Sequence, residues 1–277
     1  MSPTVFAIVL FAAALHASWN ALVKGGSDTL LTTALVAGAA SVMALVLIPF
    51  LPLPAPASWP FIAASVVLQT TYFVLLAYTY HVADMSQTYP VMRGTAPLLV
   101  AIVSVPILGE TLDLVAWAGI ALISAGILSM GLGTRAGQRK GVVFALLNAV
   151  VIAGYTLVDG EGVRRSGAPA AYALWIFFFT GLPLTGWAVT ARRALLRDYL
   201  MANWRQGIIG GIGASLSYGL ALWAMTLAPV AVVAALRETS IVFGAAISYF
   251  ILKERVTAVR VAGACVIAAG AIALRLG

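Results

Sequence analysis

The sequence predicts an all-α integral membrane protein in which ten transmembrane helices form two inverted five-helix repeats. Three observations support this fold class. The chain is 62% hydrophobic and only 9% charged, whereas a typical soluble domain carries about 25% charged residues. Apolar stretches long enough to cross a bilayer recur from one end of the chain to the other. Part of the second half repeats the first.

Helices are the expected form of these stretches because a spanning segment must satisfy its backbone polar groups internally. The stretches are continuously apolar and lack the alternation of a membrane β-strand. We predict ten spans, since about 20 apolar residues cross a bilayer. The spans lie near 3–23, 30–50, 59–80, 88–108, 112–131, 141–158, 170–190, 207–227, 231–252 and 257–275.

An ungapped offset of 144 residues aligns the ends of the two halves. Between 93 and 126, 13 of 34 residues are identical to those at 237–270. We therefore predict two domains, 1–134 and 141–277, with five spans each. Because five is an odd number, the second domain would enter the membrane upside down, as in many secondary transporters. The aligned pairs include Arg93 with Arg237, Glu110 with Glu254, Gly119 with Gly263, and Gly126 with Gly270.

The net charge of +7 does not indicate nucleic-acid binding. The basic residues lie mainly in short loops between spans, where they set the orientation of the chain. They are concentrated in the loops after the odd-numbered spans, which predicts that both termini face outside. The single cysteine, Cys265, lies in an apolar run and has no second cysteine in the chain to pair with.

Polar and aromatic side chains within the spans are the candidates for a substrate site, because polar groups in a bilayer usually face a cavity or another helix. His16, Trp19 and Asn20, for example, share one helical face. Aromatic residues near span ends also form interface belts, and amides also join helices, so both alternatives stay open. The candidate residues are His16, Trp19, Asn20, Gln69, Tyr72, Tyr78, Tyr80, Asn148, Tyr155, Trp175, Tyr218 and Trp223.

Two arginines within spans are candidates for gating. The repeat predicts that Arg93 and Arg237 lie towards opposite faces of the membrane, each near one mouth of a pathway. Each could pair with backbone carbonyls, a gate partner or a substrate carboxylate, or extend to lipid headgroups. Pro90, Gly94 and Pro97 weaken the backbone of the fourth span, which we predict to be the bending element.

Enzyme and cofactor motifs are missing from the sequence. It contains neither GxxxxGK[ST] nor HExxH, and no set of residues suited to a metal site. Ser215, in GASLS, lacks a flanking glycine after the serine and a nearby histidine. Glu110 and Glu254 stand at span ends, where we interpret them as structural pairs rather than ion carriers. We expect no enzyme, no metal and no cofactor.

Four segments carry a resemblance to a known family: HASWNALVKG at 16–25, PVMRGTAPLLVAIVSVPILGE at 90–110, ALRETSIVFGAAISYFILKE at 235–254 and AGACVIAAGAIAL at 262–274. They are similar to the drug/metabolite transporter superfamily, in its ten-helix EamA-type branch, and most of all to YddG-like exporters. The resemblance implies a multi-pass transporter of the bacterial inner membrane with a central cavity between two inverted repeats.

Known relatives of this type export amino acids and other metabolites. The resemblance therefore implies an exporter of amino acids or similar small metabolites, working as a monomer in the lipid bilayer by alternating access. The alternative is another solute class: lipophilic drugs, nucleosides or organic anions. Related four-helix transporters couple to protons through a carboxylate in their first helix. Here that helix offers His16 and Asn20 instead, so facilitated and histidine-assisted transport both stay open.

Overall fold

The computed structural model describes residues 1–131, 139–251, 253 and 256–277. Within these residues the chain is helical, with two short 3-10 turns between the second and third helices. Glu254, predicted to pair structurally, lies outside the described residues. The helices are α1 (Pro3–Lys24), α2 (Thr29–Leu47), α3 (Trp59–Val82), α4 (Met85–Leu108), α5 (Leu114–Met130), α6 (Arg139–Ser166), α7 (Pro169–Ala191), α8 (Arg193–Met225), α9 (Val230–Arg237), α10 (Ser240–Phe250) and α11 (Ala258–Leu276).

Nine segments of the described chain are long and apolar enough to cross a membrane. One of them, Val230–Phe250, consists of α9 and α10 together. The fifth predicted span corresponds to the shorter apolar helix Leu114–Met130. The chain is therefore a multi-pass, all-helical membrane protein over the residues described, and the count of ten spans stays a prediction.

Side-chain caps fix where several of these helices begin. The backbone amides of Leu30 and Leu31 each donate to the carboxylate of Asp28 at 3.0 Å, at the start of α2. Asp113 accepts from the amide of Ala116 at 2.7 Å and caps α5. Such caps satisfy amides that have no partner within the helix, so they define the boundary between loop and span.

α6 extends further than the sequence predicted. The span expected to end at residue 158 continues as a helix to Ser166. The predicted boundary was wrong because a charged residue, Asp159, follows the apolar run directly. Asp159 is fully buried in the bundle, where other helices provide its hydrogen-bond partners.

Helices α5 and α11 meet through two glycine pairs. A Cβ atom on Gly126 would lie 2.8 Å from the carbonyl oxygen of Gly263, and one on Gly263 would lie 2.7 Å from that of Gly126. Gly119 and Gly270 make the same mutual contact, at 3.0 and 2.7 Å. Small residues allow this close backbone approach in membranes. Because the repeat equates Gly119 with Gly263 and Gly126 with Gly270, the two pairs are reciprocal. We call these four residues the glycine seam.

The structure interrupts the ninth predicted span, whereas the sequence predicted a bend in the fourth. α4 stays helical through Pro90 and Pro97, since a proline removes one backbone bond but leaves the rest of the helix paired. Gly94 serves close packing instead, because a Cβ there would lie 2.8 Å from Leu128 of α5. The ninth span is the interrupted one, since α9 ends at Arg237 and α10 begins at Ser240. A gating role for Pro90, Gly94 and Pro97 stays a prediction.

Candidate functional site

A cavity lies inside the bundle where α4, α6 and the break between α9 and α10 meet. Its walls combine charged, hydroxyl and apolar groups, which is the composition of a site for a small molecule with a few polar handles. Segments from both halves of the sequence contribute to it. Prominent among its lining residues are Arg93 and Pro97 from α4, Tyr155 and Thr156 from α6, and Arg237 and Glu238 from the break.

Arg93 and Glu238 form an ion pair across this cavity. The Nε atom of Arg93 lies 2.9 Å from Oε2 of Glu238, and the two side chains are 8% and 6% exposed. Each charge would be costly to bury alone, so the pair ties α4 to the interrupted span. No sequence pattern indicated this contact, because it joins residues from different halves of the chain.

Arg237 lines the same cavity as Arg93. Its Cζ atom lies 4.8 Å from the ring centroid of Tyr218, a cation–π contact. Each arginine lies about 10–12 Å from the first residue of its span, and the side chains of both reach the same cavity. Their placement near opposite mouths of a pathway stays a prediction.

Asp159 gathers polar side chains from three other helices. The hydroxyl of Tyr218 on α8 donates to Oδ2, and the hydroxyl of Tyr172 on α7 donates to Oδ1 at 3.2 Å. The Nε2 atom of Gln69 on α3 donates to Oδ2 at 3.3 Å. Three donors stabilise a buried carboxylate that has no cationic partner among the described residues. We call these four residues the Asp159 cluster.

Sequence reasoning singled out Gln69 and Tyr218 but missed Asp159 and Tyr172. One signal could have revealed Asp159, which lies one helical turn after Tyr155 and so on the same face of α6. An acidic residue on the polar face of a span is a candidate for the bundle interior rather than a loop.

An aromatic chain connects the predicted residues around the cavity. The ring centroids of Tyr72 and Tyr155 are 6.0 Å apart, and those of Tyr155 and Tyr218 are 6.5 Å apart. The structure thus brings Tyr72, Tyr155 and Tyr218 together beside the two arginines.

Other predicted residues lie elsewhere. Tyr78 is 50% exposed and packs against Phe144, away from the cavity. The side chain of Asn20 is exposed and donates to the carbonyl of His16 in its own helix at 2.7 Å. Asn148 is buried and donates to the sulfur of Met92 at 3.2 Å, which joins α6 to α4.

Three of the remaining aromatic candidates pack against the main core, and Trp19 packs against a smaller cluster of Val23, Val36 and Ala214. Trp175 stacks on Phe179 with ring centroids 5.4 Å apart and contacts Trp59 at 5.1 Å. Trp19 meets the ring of His16 edge to face at 5.3 Å. Tyr80 and Trp223 are partly buried against the core without a ring contact to the cavity residues.

A second ion pair stands at the start of α9. Arg164 contacts Glu110 at 2.8 Å and also donates to the carbonyls of Met225 at 2.8 Å and Ala228 at 3.0 Å. The amide of Val230 donates to Glu110 at 2.6 Å. Glu110 therefore caps α9 while Arg164 binds the end of α8, which fits the structural interpretation of Glu110. The sequence had assigned Arg164 only to loop topology.

A family model described as the EamA-like transporter family matches residues 4–132 and again 139–276. The chain belongs to the EamA-like transporter family. The match supplies two repeats that cover nearly all of this EamA-like chain, and members of the family are transporters rather than enzymes. A search of curated proteins returns no match.

A solved crystal structure shares the fold of the EamA-like chain. The two superpose with a TM-score of 0.78 over 100% of this chain and 99% of the other, at 17% sequence identity. Identity this low supports the fold alone, so the YddG-like subtype stays a prediction. Among the described residues, no group of three or more histidine, cysteine, aspartate or glutamate side chains could hold a metal ion.

Proposed function

We propose that this EamA-like chain exports amino acids or similar small metabolites across the bacterial inner membrane by alternating access through the cavity. The observation that carries the proposal is the cavity's charge pattern. Arg93 and Arg237 offer cations and Glu238 offers an anion, beside the ring of Tyr155. An amino acid presents a carboxylate that suits the arginines, an ammonium group that suits Glu238, and an apolar part that suits the ring of Tyr155.

The glycine seam supports two inverted five-helix repeats. The reciprocal contacts of Gly119 with Gly270 and of Gly126 with Gly263 are those expected when two copies are related by a two-fold axis. As the residue number rises along α5, from Gly119 to Gly126, the number of the contacted residue falls from Gly270 to Gly263. Helices α5 and α11 therefore run in opposite directions. Inverted repeats with a site between them are a common design in transporters that alternate between two open states.

The Arg93–Glu238 pair supports alternating access. It joins a continuous helix of the first half to the broken span of the second. A substrate with both charges could bind each partner in turn and release α4 from the break between α9 and α10. Broken helices at mid-membrane are where transporters of other folds hold substrates and bend. We further propose that the chain works as a monomer with both termini outside.

Organic anions are the second candidate class. Arg237 has no carboxylate within ion-pair distance among the described residues, so the cavity carries one more cation than its single glutamate neutralises. Nothing comparable in the cavity favours lipophilic drugs or nucleosides, which bring no negative charge.

Flux measurements in proteoliposomes that hold the full chain test the proposal. The probes are radiolabelled leucine, phenylalanine, threonine and glutamate, with malate as an organic anion and uridine as a nucleoside. We expect saturable movement of at least one amino acid, abolished by Arg93→Ala. If only malate moves, the organic-anion alternative replaces the proposal. If no probe moves above empty vesicles, both are wrong.

A further inference from the structure

Arg237 differs from the other arginine of the cavity in its partners. Arg93 is paired with Glu238, whereas Arg237 contacts no carboxylate at ion-pair distance within the described residues. Arg237 is half-buried and faces the cavity. A cation held inside a bundle of spans is costly, and such residues pair with one another, with backbone or with a ligand. Its guanidinium is therefore available to an anion in the cavity.

The guanidinium of Arg237 rests on a ring that is itself anchored. Tyr218 lies beneath it, with 4.8 Å between Cζ and the ring centroid. The hydroxyl of Tyr218 donates to Asp159. Gln69 and Tyr172 donate to the same carboxylate at 3.3 and 3.2 Å, and they fix its position from two other helices. The Asp159 cluster thus sets the orientation of the ring, and the ring sets the place of the cation.

A guanidinium that packs against a ring face can still offer the N–H donors along its edge to another group. That edge presents paired N–H donors whose spacing matches the two oxygens of a carboxylate. A lysine at this position would offer a point charge without the planar fork. The geometry suits a carboxylate that enters from the cavity.

We propose that Arg237 is the subsite for the substrate's carboxylate, and that Asp159 is a positioning residue that acts on Arg237 through Tyr218. The proposal rests on the transport function above and narrows it to solutes that carry a carboxylate. Asp159 does not touch the substrate. Its role is to orient the ring of Tyr218 through a hydrogen bond, and the guanidinium of Arg237 packs against that ring.

The first experiment compares leucine, phenylalanine and threonine with their carboxamides in proteoliposomes. In the wild type, we expect the KM of each carboxamide to be at least about tenfold higher than that of its amino acid, or the carboxamide not to be transported at all. A hydrogen bond to a charged group contributes about that factor. Arg237→Gln should raise the KM of the amino acid to that of its carboxamide. Arg237→Lys should recover only part of the difference.

The second experiment tests positioning. Tyr218→Phe keeps the ring but cuts its link to Asp159, and should raise the KM of the amino acid about threefold to tenfold while leaving that of the carboxamide unchanged. The control is Tyr199→Phe on the same helix, which removes a hydroxyl that lies 2.6 Å from the hydroxyl of Thr32, outside the Asp159 cluster. It should keep the amino-acid KM within about twofold of the wild type.

The outcomes separate the proposal from the function on which it rests. If the wild type carries each amino acid and its carboxamide with equal KM, transport stands and the carboxylate subsite is wrong. If Tyr218→Phe raises the KM of the amino acid and of its carboxamide equally, or raises the amino-acid KM no more than Tyr199→Phe does, the positioning role is wrong and the Asp159 cluster is structural only. If the wild type carries none of the amino acids, the proposed amino-acid transport is wrong, and this inference falls with it.

Discussion

Arg93 on α4 and Glu238 at the break between α9 and α10 form a buried ion pair, with 2.9 Å between Nε and Oε2. The pair directly links α4, in the first half of the chain, to the interrupted span of the second half. Its energetics follow from burial, because removing one partner leaves the other charge unpaired in a region that is poorly solvated.

Glu238→Ala should lower the free energy of unfolding by about 3–5 kcal/mol, since it strands the guanidinium of Arg93. The double variant Arg93→Met, Glu238→Leu removes both charges and should recover most of that loss. Unfolding in detergent, followed by circular dichroism, measures both. Equal destabilisation in the single and double variants would show that the charges do not interact.

The glycine seam should not accept a methyl group. Gly126→Ala would place Cβ 2.8 Å from the carbonyl oxygen of Gly263, and a backbone atom cannot turn aside as a side chain can. We expect a loss of about 1–3 kcal/mol in stability. Gly186→Ala is the matched control in α7, because a Cβ there meets nothing within 4 Å.

The control should be neutral or stabilising by up to about 1 kcal/mol, since alanine favours a helix interior over glycine. Thermal unfolding of the two variants in the same detergent makes the comparison. A loss of the same size in both would mean that the seam is not tightly packed.

Glu110→Gln should loosen the start of α9. The amide of Val230 would lose a charge-assisted bond of 2.6 Å, and Arg164 would lose its carboxylate. Hydrogen–deuterium exchange at Val230 should accelerate by about tenfold or more, as expected for a bond to a charged acceptor. The amide of Val233, which donates to the carbonyl of Pro229, is the internal control. Unchanged exchange at Val230 would contradict the capping role.

Two neighbouring candidates on α1 should behave differently in transport. His16→Ala should lower flux severalfold, because the ring of His16 is partly buried in the bundle and packs edge to face on Trp19. Asn20→Ala should leave flux unchanged, because its exposed side chain is bonded to its own helix. Initial rates in proteoliposomes, at matched protein content, test the pair. Similar rates in the two variants would remove His16 from the site.

The sequence predicted the features that depend on neighbouring residues or on the internal repeat. Apolar length predicted the helices, and an ungapped offset aligned Gly119 with Gly263 and Gly126 with Gly270, which are the four glycines of the seam. Helical spacing also selected Tyr155, Tyr218 and Gln69, which the structure brings to the cavity and to the Asp159 cluster.

The features that sequence reasoning missed depend on contacts between distant segments. Glu238 looked like a neighbour of Arg237, but its partner is Arg93 in the other half. Asp159 looked like the end of a span because its donors come from other helices. The break after Arg237 contains neither proline nor glycine, so no breaker residue marked it. The prolines of α4 lie within a continuous helix, and its role as a bending element stays a prediction.

The glycine seam has a consequence for how the two halves can vary. In a pair of identical halves, a substitution at one of these glycine positions would change both glycine pairs at once. In a single chain with two repeats it changes one pair, so each half can vary alone. Gly94 and Glu238 occupy equivalent positions of the repeat, yet one closes a helix contact and the other holds a buried charge. Because both repeats lie in one chain, equivalent positions can carry different residues with different structural roles.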